Sequence, residues 1–256
     1  MRQLVQLSAV AAFAFLLVVA VAPAQEVCFD DPAGDDNGPG EYVYPTDAVY
    51  TTGSFDLTKF CMKVKGNKAN AEVSVNSNLG DPWRMGVGFS VQMIFIYIDN
   101  AEGGHTKSLP GTNHLFPEDQ AWDKVIILSP QQIGRVNTEV EAKAAAMKDD
   151  IVVPSRTKGA SRTITASVKM GDLGEGDPST WGYQVIMQSN EGFPAEGDLL
   201  TRKVNEFEGQ HRFGGGTDYD CDPHVMDILG DHAQLAYECE ADGTAKSMAT
   251  TGMVRQ

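Results

Sequence analysis

The feature that most restricts the fold is a series of short segments in which apolar and polar residues alternate, bounded by Gly, Pro, Asn or Asp. Residues 60–64, 71–75 and 164–168 follow this period of two, which gives each predicted strand one buried face and one solvated face. Residues 87–98 begin in the same way but end in six consecutive apolar residues. This ending is typical of a central strand that is covered on both faces.

The remaining segments complete the fold prediction. Residues 124–128 and 183–188 are further strand candidates, whereas only residues 138–148, rich in Glu, Ala and Lys, favour a helix. Short strands separated by turn signals predict an all-β, antiparallel β-sandwich with at most one short helix. We expect one domain over residues 25–240, and the small, polar residues 241–256 predict a flexible C-terminal tail.

The N-terminus has the pattern of a signal peptide over residues 1–24. Arg2 is followed by 14 consecutive apolar residues at 9–22, fewer than the roughly 20 that a membrane-spanning helix needs. A small-x-small pattern then predicts cleavage near Ala24. The mature chain is therefore expected to be secreted, periplasmic or at the cell surface, without insertion into the membrane.

The net charge narrows the classes of partner. The chain carries 35 Asp and Glu against 20 Lys and Arg, a formal net charge of −15. Nucleic acids and anionic membrane surfaces attract proteins through basic groups. We therefore expect no nucleic-acid partner.

Four cysteines, Cys28, Cys61, Cys221 and Cys239, lie beyond the predicted signal peptide. An exported chain favours disulfides, and their spacings match no common zinc site. Three connectivities are open, of which nearest-neighbour pairing would place one bridge near each end of the domain. We expect two disulfides.

Two Gly-rich segments concentrate carboxylates and suggest a calcium site. The first contains Asp31, Asp35 and Asp36, and the second contains the set Asp218, Asp220 and Asp222. Calcium takes several oxygen ligands at once, although neither segment has EF-hand spacing. The alternative is that these residues only form turns, for which Asp, Asn, Gly and Pro are the usual residues.

The order of these motifs resembles a known family. The segment DPAGDDNGPGEYVYPTDAVYTTGSFDLTKF, the Leu109-Pro110-Gly111 turn, the run DPSTWGY at 177–183, the triple glycine at 214–216 and DPHVMDIL at 222–229 are similar to the C-terminal domain of glucodextranase, also known from amylopullulanases. The resemblance implies a sandwich related to DOMON domains and family-nine carbohydrate-binding modules. It further implies a non-catalytic role, holding polysaccharide or a cell-surface glycan beside a secreted glycan-degrading enzyme.

Sugar binding would use exposed aromatic faces, and the candidates are Trp83, Tyr42 and Trp122. Trp83 is preferred because it lies in a loop-like segment beside Arg84. Trp122 borders a strand candidate, where core packing is the competing interpretation.

A haem-binding electron-transfer domain of the DOMON type is the alternative function. Met85, Met93 and His105 could serve as ligands of a noncovalent haem, whereas the motif for covalent haem attachment is missing. The sequence also lacks a zinc-protease motif, a nucleophile elbow and a phosphate-binding loop. We therefore expect no catalytic residues.

Overall fold

The computed structural model describes residues 25–217, 219 and 221–256. In chain order its strands are β1 (Gln25–Asp30), β2 (Leu57–Lys65), β3 (Lys68–Val75), β4 (Gln92–Asp99), β5 (Lys124–Leu128), β6 (Ile151–Val152), β7 (Thr157–Ala160), β8 (Thr163–Lys169), β9 (Gly182–Ser189), β10 (Asp227–Ile228), β11 (Glu238–Cys239) and β12 (Ala245–Ser247). The helices are α1 (Ile133–Lys143) and the single turn α2 (Met170–Leu173), with 3-10 turns elsewhere. The predicted signal peptide lies outside the described residues.

Two five-stranded sheets form the sandwich that the alternation predicted. The first has the order β1-β2-β3-β8-β7 and is antiparallel throughout; the second has the order β10-β9-β4-β5-β6, antiparallel except for the parallel β5–β6 pair. Strands β11 and β12 form a small separate hairpin. The fold prediction is confirmed.

The core lies between the two sheets, and strand β4 contributes to two apolar layers. Ile94, Ile96 and Ile98 face the first sheet and pack in the inner core. Phe95 and Tyr97 point the other way, into a second apolar cluster. Because both faces are covered, every residue of β4 is buried, as its apolar ending predicted.

The second apolar cluster, which we call the outer cluster, is covered by loops and by helix α1. This helix begins earlier than the helix predicted over residues 138–148. Val136 and Val140, four residues apart, supply its buried side. Glu139 makes ion pairs with Arg135 and Lys143. After Lys143 the backbone leaves the α-helical region at Ala144, and residues 145–150 continue as a 3-10 helix.

The segment after residue 240 corrects the prediction of a flexible tail. Ala249 and Thr251 are fully buried, Val254 exchanges backbone hydrogen bonds with Tyr183 of β9, and Arg255 forms an ion pair with Asp99. Apart from the three-residue strand β12, isolated bridges and single side chains hold this segment, and these contacts leave no periodic pattern in the sequence. The packed domain therefore extends at least to Arg255.

Both disulfides follow nearest-neighbour pairing. Cys28 and Cys61 lie opposite each other on β1 and β2, and Cys221 bonds to Cys239 of β11. The described chain contains no free cysteine. Two bridges fit an extracytoplasmic protein. Among the described residues, no helix has the length and apolar character needed to cross a membrane.

Candidate functional site

Carboxylates from distant parts of the chain meet at one edge of the sandwich. Asp35, Asp227 and His232 present ligand atoms within 4.8 Å of one another. Asp31 interacts electrostatically with all three, and Asp56 with Asp35. We call Asp31, Asp35, Asp56, Asp227 and His232 the acidic cluster.

Backbone hydrogen bonds hold the loop after β1 against the segment that contains β10. The Gly230 N–H donates to Asp31 Oδ1 at 2.7 Å, and the Gly38 N–H donates to the Met226 carbonyl at 2.8 Å. His232 Nδ1 lies 3.1 Å from the Gly38 carbonyl oxygen. These contacts fix the carboxylates of the two segments relative to each other.

Asp227 is the most deeply buried acid of the acidic cluster, with no solvent exposure. Its Oδ2 accepts a 2.6 Å hydrogen bond from the Leu57 N–H at the start of β2. Its Oδ1 lies 2.7 Å from His232 Nε2. Asp227 therefore connects the second sheet to the first and holds the imidazole beside the other carboxylates.

Three buried carboxylate oxygens in the acidic cluster have no hydrogen-bond partner among the described residues: Asp31 Oδ2, Asp35 Oδ1 and Asp56 Oδ1. Asp56 is 1% exposed, and its other oxygen accepts from the Gly34 N–H and the Asn76 side chain. Unpaired buried carboxylates are costly, and hard cations such as calcium are bound by several oxygens together. The acidic cluster thus has the donor chemistry of a calcium site.

The pKa values of the acidic cluster are shifted because its carboxylates are buried and close together. Burial, together with the charges of Asp227 and Asp35, raises the pKa of Asp31 to about 8. Burial also raises the pKa of Asp227 to about 7, against the opposing effect of His232. Burial alone would lower the pKa of His232, but its hydrogen bond and ion pair with Asp227 raise it to about 9.

These shifts predict how the stability of the metal-free protein depends on pH. All three pKa values are higher in the folded chain than in the unfolded one, so folding takes up protons, and the associated stability is lost as pH rises. We expect the melting temperature of calcium-stripped protein to fall between pH 5.5 and pH 9. Asp31→Asn, which imitates the protonated acid, should reduce the fall of the melting temperature with pH. A melting temperature that rises over this range would contradict the raised pKa values of the acidic cluster.

The other two described acids predicted as metal ligands, Asp36 and Asp222, differ in their surroundings. Asp36 adjoins the acidic cluster, since burial and then the charges of Asp56 and Asp35 raise its pKa, and it accepts a hydrogen bond from the Tyr44 hydroxyl. Asp222 is fully buried and accepts hydrogen bonds from Tyr42 at 3.3 Å and Thr217 at 2.8 Å, which gives it a structural role. Asp218 and Asp220, the other acids predicted from the second segment, lie outside the described residues.

Of the predicted sugar-binding aromatic residues, Trp83 alone remains half-exposed. Its ring meets Tyr50 and His211 edge to face at 6.2 Å, and the Arg202 guanidinium lies 5.7 Å from the ring centroid. Its loop is fixed by Asp81, which accepts the N–H groups of residues 85 and 86 at 2.7 Å. The ring of Trp83 is therefore fixed in position by its loop and has polar neighbours.

Tyr42 and Trp122 do not present an aromatic face to solvent, which corrects their prediction as sugar-binding residues. Tyr42 is 5% exposed, and its hydroxyl donates to Asp222 and to the Pro223 carbonyl. Trp122 is fully buried against Tyr97, with its indole N–H donating to the Lys107 carbonyl at 2.8 Å. Both side chains are used in packing.

The residues offered as haem ligands have other contacts. Met93 is fully buried in the outer apolar cluster. His105 pairs with Asp150 at 2.9 Å and packs its ring on Trp122. The backbone N–H of Met85 donates a hydrogen bond to Asp81. These contacts give haem ligation no support.

Asp56, Asp227 and His232 are members of the acidic cluster that the sequence interpretation missed. A signal for Asp227 was present, because a single acid interrupts the apolar run Val225-Met226-Asp227-Ile228-Leu229. An acid in such a run is rarely buried without a partner. Asp56 lies in an ordinary turn-like sequence, which gave no comparable signal.

The matched family agrees with this architecture. No protein of curated function matches the sequence. Residues 27–254 match the model of a family described as the C-terminal binding module, SLH-like, of glucodextranase. The match spans both sheets, the acidic cluster, Trp83 and the segment after residue 240, and so the chain belongs to the glucodextranase C-terminal binding-module family.

Proposed function

We propose that the protein is a secreted, non-catalytic module that binds polysaccharide or a cell-surface glycan and is stabilised by calcium. The family is described as a binding module of an enzyme that acts on glucan. The observation that carries the glycan assignment is Trp83, a half-exposed ring on a fixed loop. Pyranose rings bind proteins through such aromatic faces, with polar groups beside them.

The neighbours of Trp83 supply the polar part of the proposed glycan site. The Arg202 guanidinium donates to the Tyr50 hydroxyl at 2.8 Å and forms an ion pair with Glu191 at 2.9 Å. His211 completes the group around the ring. Because these residues are already held in place, little conformational entropy would be lost when a sugar binds.

Calcium is proposed to occupy the acidic cluster, with Asp31, Asp35, Asp56 and Asp227 as ligands. Four carboxylates supply enough oxygens for most of the six to eight positions that calcium takes, and water would supply the others. Bound there, the ion would join the loop after β1 to β10 and the start of β2. The ion would therefore act on stability and on the shape of this edge of the sandwich.

A glycan array tests the assignment of Trp83. We expect Trp83→Ala to lose about 2 kcal/mol or more of binding free energy, roughly a 30-fold weakening, because the aromatic anchor is removed. Phe193→Ala is the matched control, since Phe193 is 92% exposed and lies in a different loop. Binding that survives Trp83→Ala in a folded protein would place the glycan elsewhere.

The haem alternative is tested by the visible spectrum of the secreted protein. A binding module without haem should have no Soret band as purified. A stoichiometric Soret band would overturn the proposed function in favour of electron transfer.

A further inference from the structure

A pocket of about 400 Å³ lies on the outer side of the second sheet. Its wall includes the Leu109-Pro110-Gly111 turn, a motif to which the proposed function gives no role. The volume is within the usual range for a small-molecule site. We call it the His114 pocket, after the histidine in its wall.

The pocket is built from a close and strained contact between two loops. Gly111 has φ +97°, and a Cβ there would lie 2.0 Å from Thr201 Oγ1 and 3.1 Å from Asp198 Cβ. Asn113 in the wall and Leu200 in the opposite loop both have positive φ. Non-glycine residues in this conformation are uncommon and concentrate at functional sites. The conformation of these loops is therefore more constrained than a simple link between strands requires.

Unsatisfied polar groups lie in and beside the wall. His114 is 1% exposed, and its ring has one polar backbone contact, with Thr112, while neither ring nitrogen has a well-aligned hydrogen-bond partner among the described residues. Burial lowers the pKa of His114 to about 3, so the ring is neutral and offers one donor and one acceptor. Thr201 Oγ1 is buried without a hydrogen-bond partner in the same part of the structure. Such groups call for an explanation by bound water or ligand.

The remaining lining combines charges of both signs with apolar carbon. Lys107 and Lys203 provide ammonium groups, Asp198 provides a carboxylate, and Pro110 and Leu115 provide aliphatic surface. The two ammonium groups are donors and the carboxylate is an acceptor, so a ligand group that both donates and accepts hydrogen bonds can meet charges of either sign. A pyranose fits both parts of the lining, because its hydroxyls donate and accept while its C–H face packs on aliphatic carbon.

We infer that the His114 pocket is a second sugar subsite that takes one neutral pyranose unit of a glycan. This inference rests on the proposed glycan-binding function. Trp83 and Arg202 are not part of the pocket lining: Arg202 lies over Trp83, whereas the next residue, Lys203, lines the pocket. A chain with two such subsites could contact two units of one polysaccharide.

The test follows the methyl group of Met248, which lines the pocket, by NMR of the secreted protein labelled at methionine. Its signal is assigned with Met248→Leu, and maltose, isomaltose, cellobiose and glucuronate are the probes. We expect a saturable shift of the Met248 methyl with at least one disaccharide. Lys107→Met and Asp198→Asn should each weaken that binding about tenfold, the effect of losing a hydrogen bond to a charged group.

The controls separate this subsite from the proposed function. Lys158→Met, an exposed lysine on β7, should leave the titration unchanged, and so should Trp83→Ala. Glycan-array binding without any Met248 shift would overturn the subsite but keep the proposed function. The absence of both array binding and a Met248 shift would overturn the subsite and the proposed function together. Tighter binding of glucuronate than of every disaccharide would overturn the assignment to a neutral sugar. A titration that Lys107→Met and Asp198→Asn leave unchanged would overturn the location.

Discussion

Calcium added to metal-stripped protein at pH 8 is expected to raise the melting temperature strongly. At about 100 times its Kd, a ligand that binds only the folded state stabilises by about 2.7 kcal/mol, which is roughly 5–10 °C for a domain of this size. The physical reason is the set of buried, unpaired carboxylate oxygens in the acidic cluster. Differential scanning calorimetry with and without calcium measures the effect.

Variants of single ligands locate that calcium effect. Asp31→Asn and Asp35→Asn should each remove most of the calcium-dependent rise, while making the metal-free protein no less stable, because a repelling charge is lost. Asp47→Asn is the matched control, since Asp47 lies outside the acidic cluster and pairs with Gln210. A melting temperature that calcium does not change, or a rise that survives both cluster variants, would contradict the proposed site.

Trp122→Ala is expected to be the most destabilising single substitution considered for this protein. Truncating a fully buried Trp costs about 3–5 kcal/mol through lost contacts and the remaining cavity. Here it would also remove the ring contacts with Tyr97 and His105 at 5.4 and 4.4 Å and leave the Lys107 carbonyl without its donor. Urea denaturation at constant pH measures the loss.

Two comparisons distinguish packing from binding at Trp122. Trp83→Ala, at a half-exposed position, should cost much less stability than Trp122→Ala. The folded fraction of Trp122→Ala should still bind glycan, because the side chain reaches no solvent. A fold that tolerates Trp122→Ala with a loss below about 0.5 kcal/mol, within the range of surface substitutions, would show that the residue is not part of the core.

The strands could be predicted because local alternation is enough to specify them. Strands β3 and β8 follow their period of two, and residues 60–64 of β2 do so except at Cys61, which is buried and disulfide-bonded. Strand β4 is covered on both faces, as its apolar run indicated. The segment after residue 240 could not be predicted in this way. It is held by isolated backbone bridges such as that of Val254 with Tyr183, which leave no periodic pattern in the sequence.

The acidic cluster shows why the proposed metal ligands were only partly predicted from the sequence. Asp31 and Asp35 lie in one Gly-rich segment, where local density of carboxylates drew attention to them. Their partners come from elsewhere: Gly230, which fixes Asp31, follows it by 199 positions, and Asp227 and His232 flank that glycine. Only the pairing of β10 beside β9 brings this segment to the loop after β1. Asp222 was predicted from the same kind of local density, yet folding directs it toward Tyr42 and Thr217.

The aromatic residues illustrate the same limit for sugar binding. Trp83 is followed by Arg84 and Trp122 by Asp123. The sequence favoured Trp83 only because it lies in a loop-like segment, whereas Trp122 borders a strand candidate. Burial distinguishes the two residues in the structure, because Trp122 itself forms a backbone bridge with His105 and packs in the outer cluster, whereas the Asp81 loop holds Trp83 half-exposed.

The most direct test of the central proposal, binding without catalysis, is depletion of the calcium-loaded secreted protein by insoluble polysaccharides, with reducing ends measured in the same samples. We expect the protein to be removed from solution by at least one polysaccharide, with no reducing sugar released above the protein-free control. Release of reducing ends in proportion to the protein added would contradict the non-catalytic assignment. Failure of every polysaccharide and cell-wall preparation to deplete the protein would contradict the glycan-binding function itself.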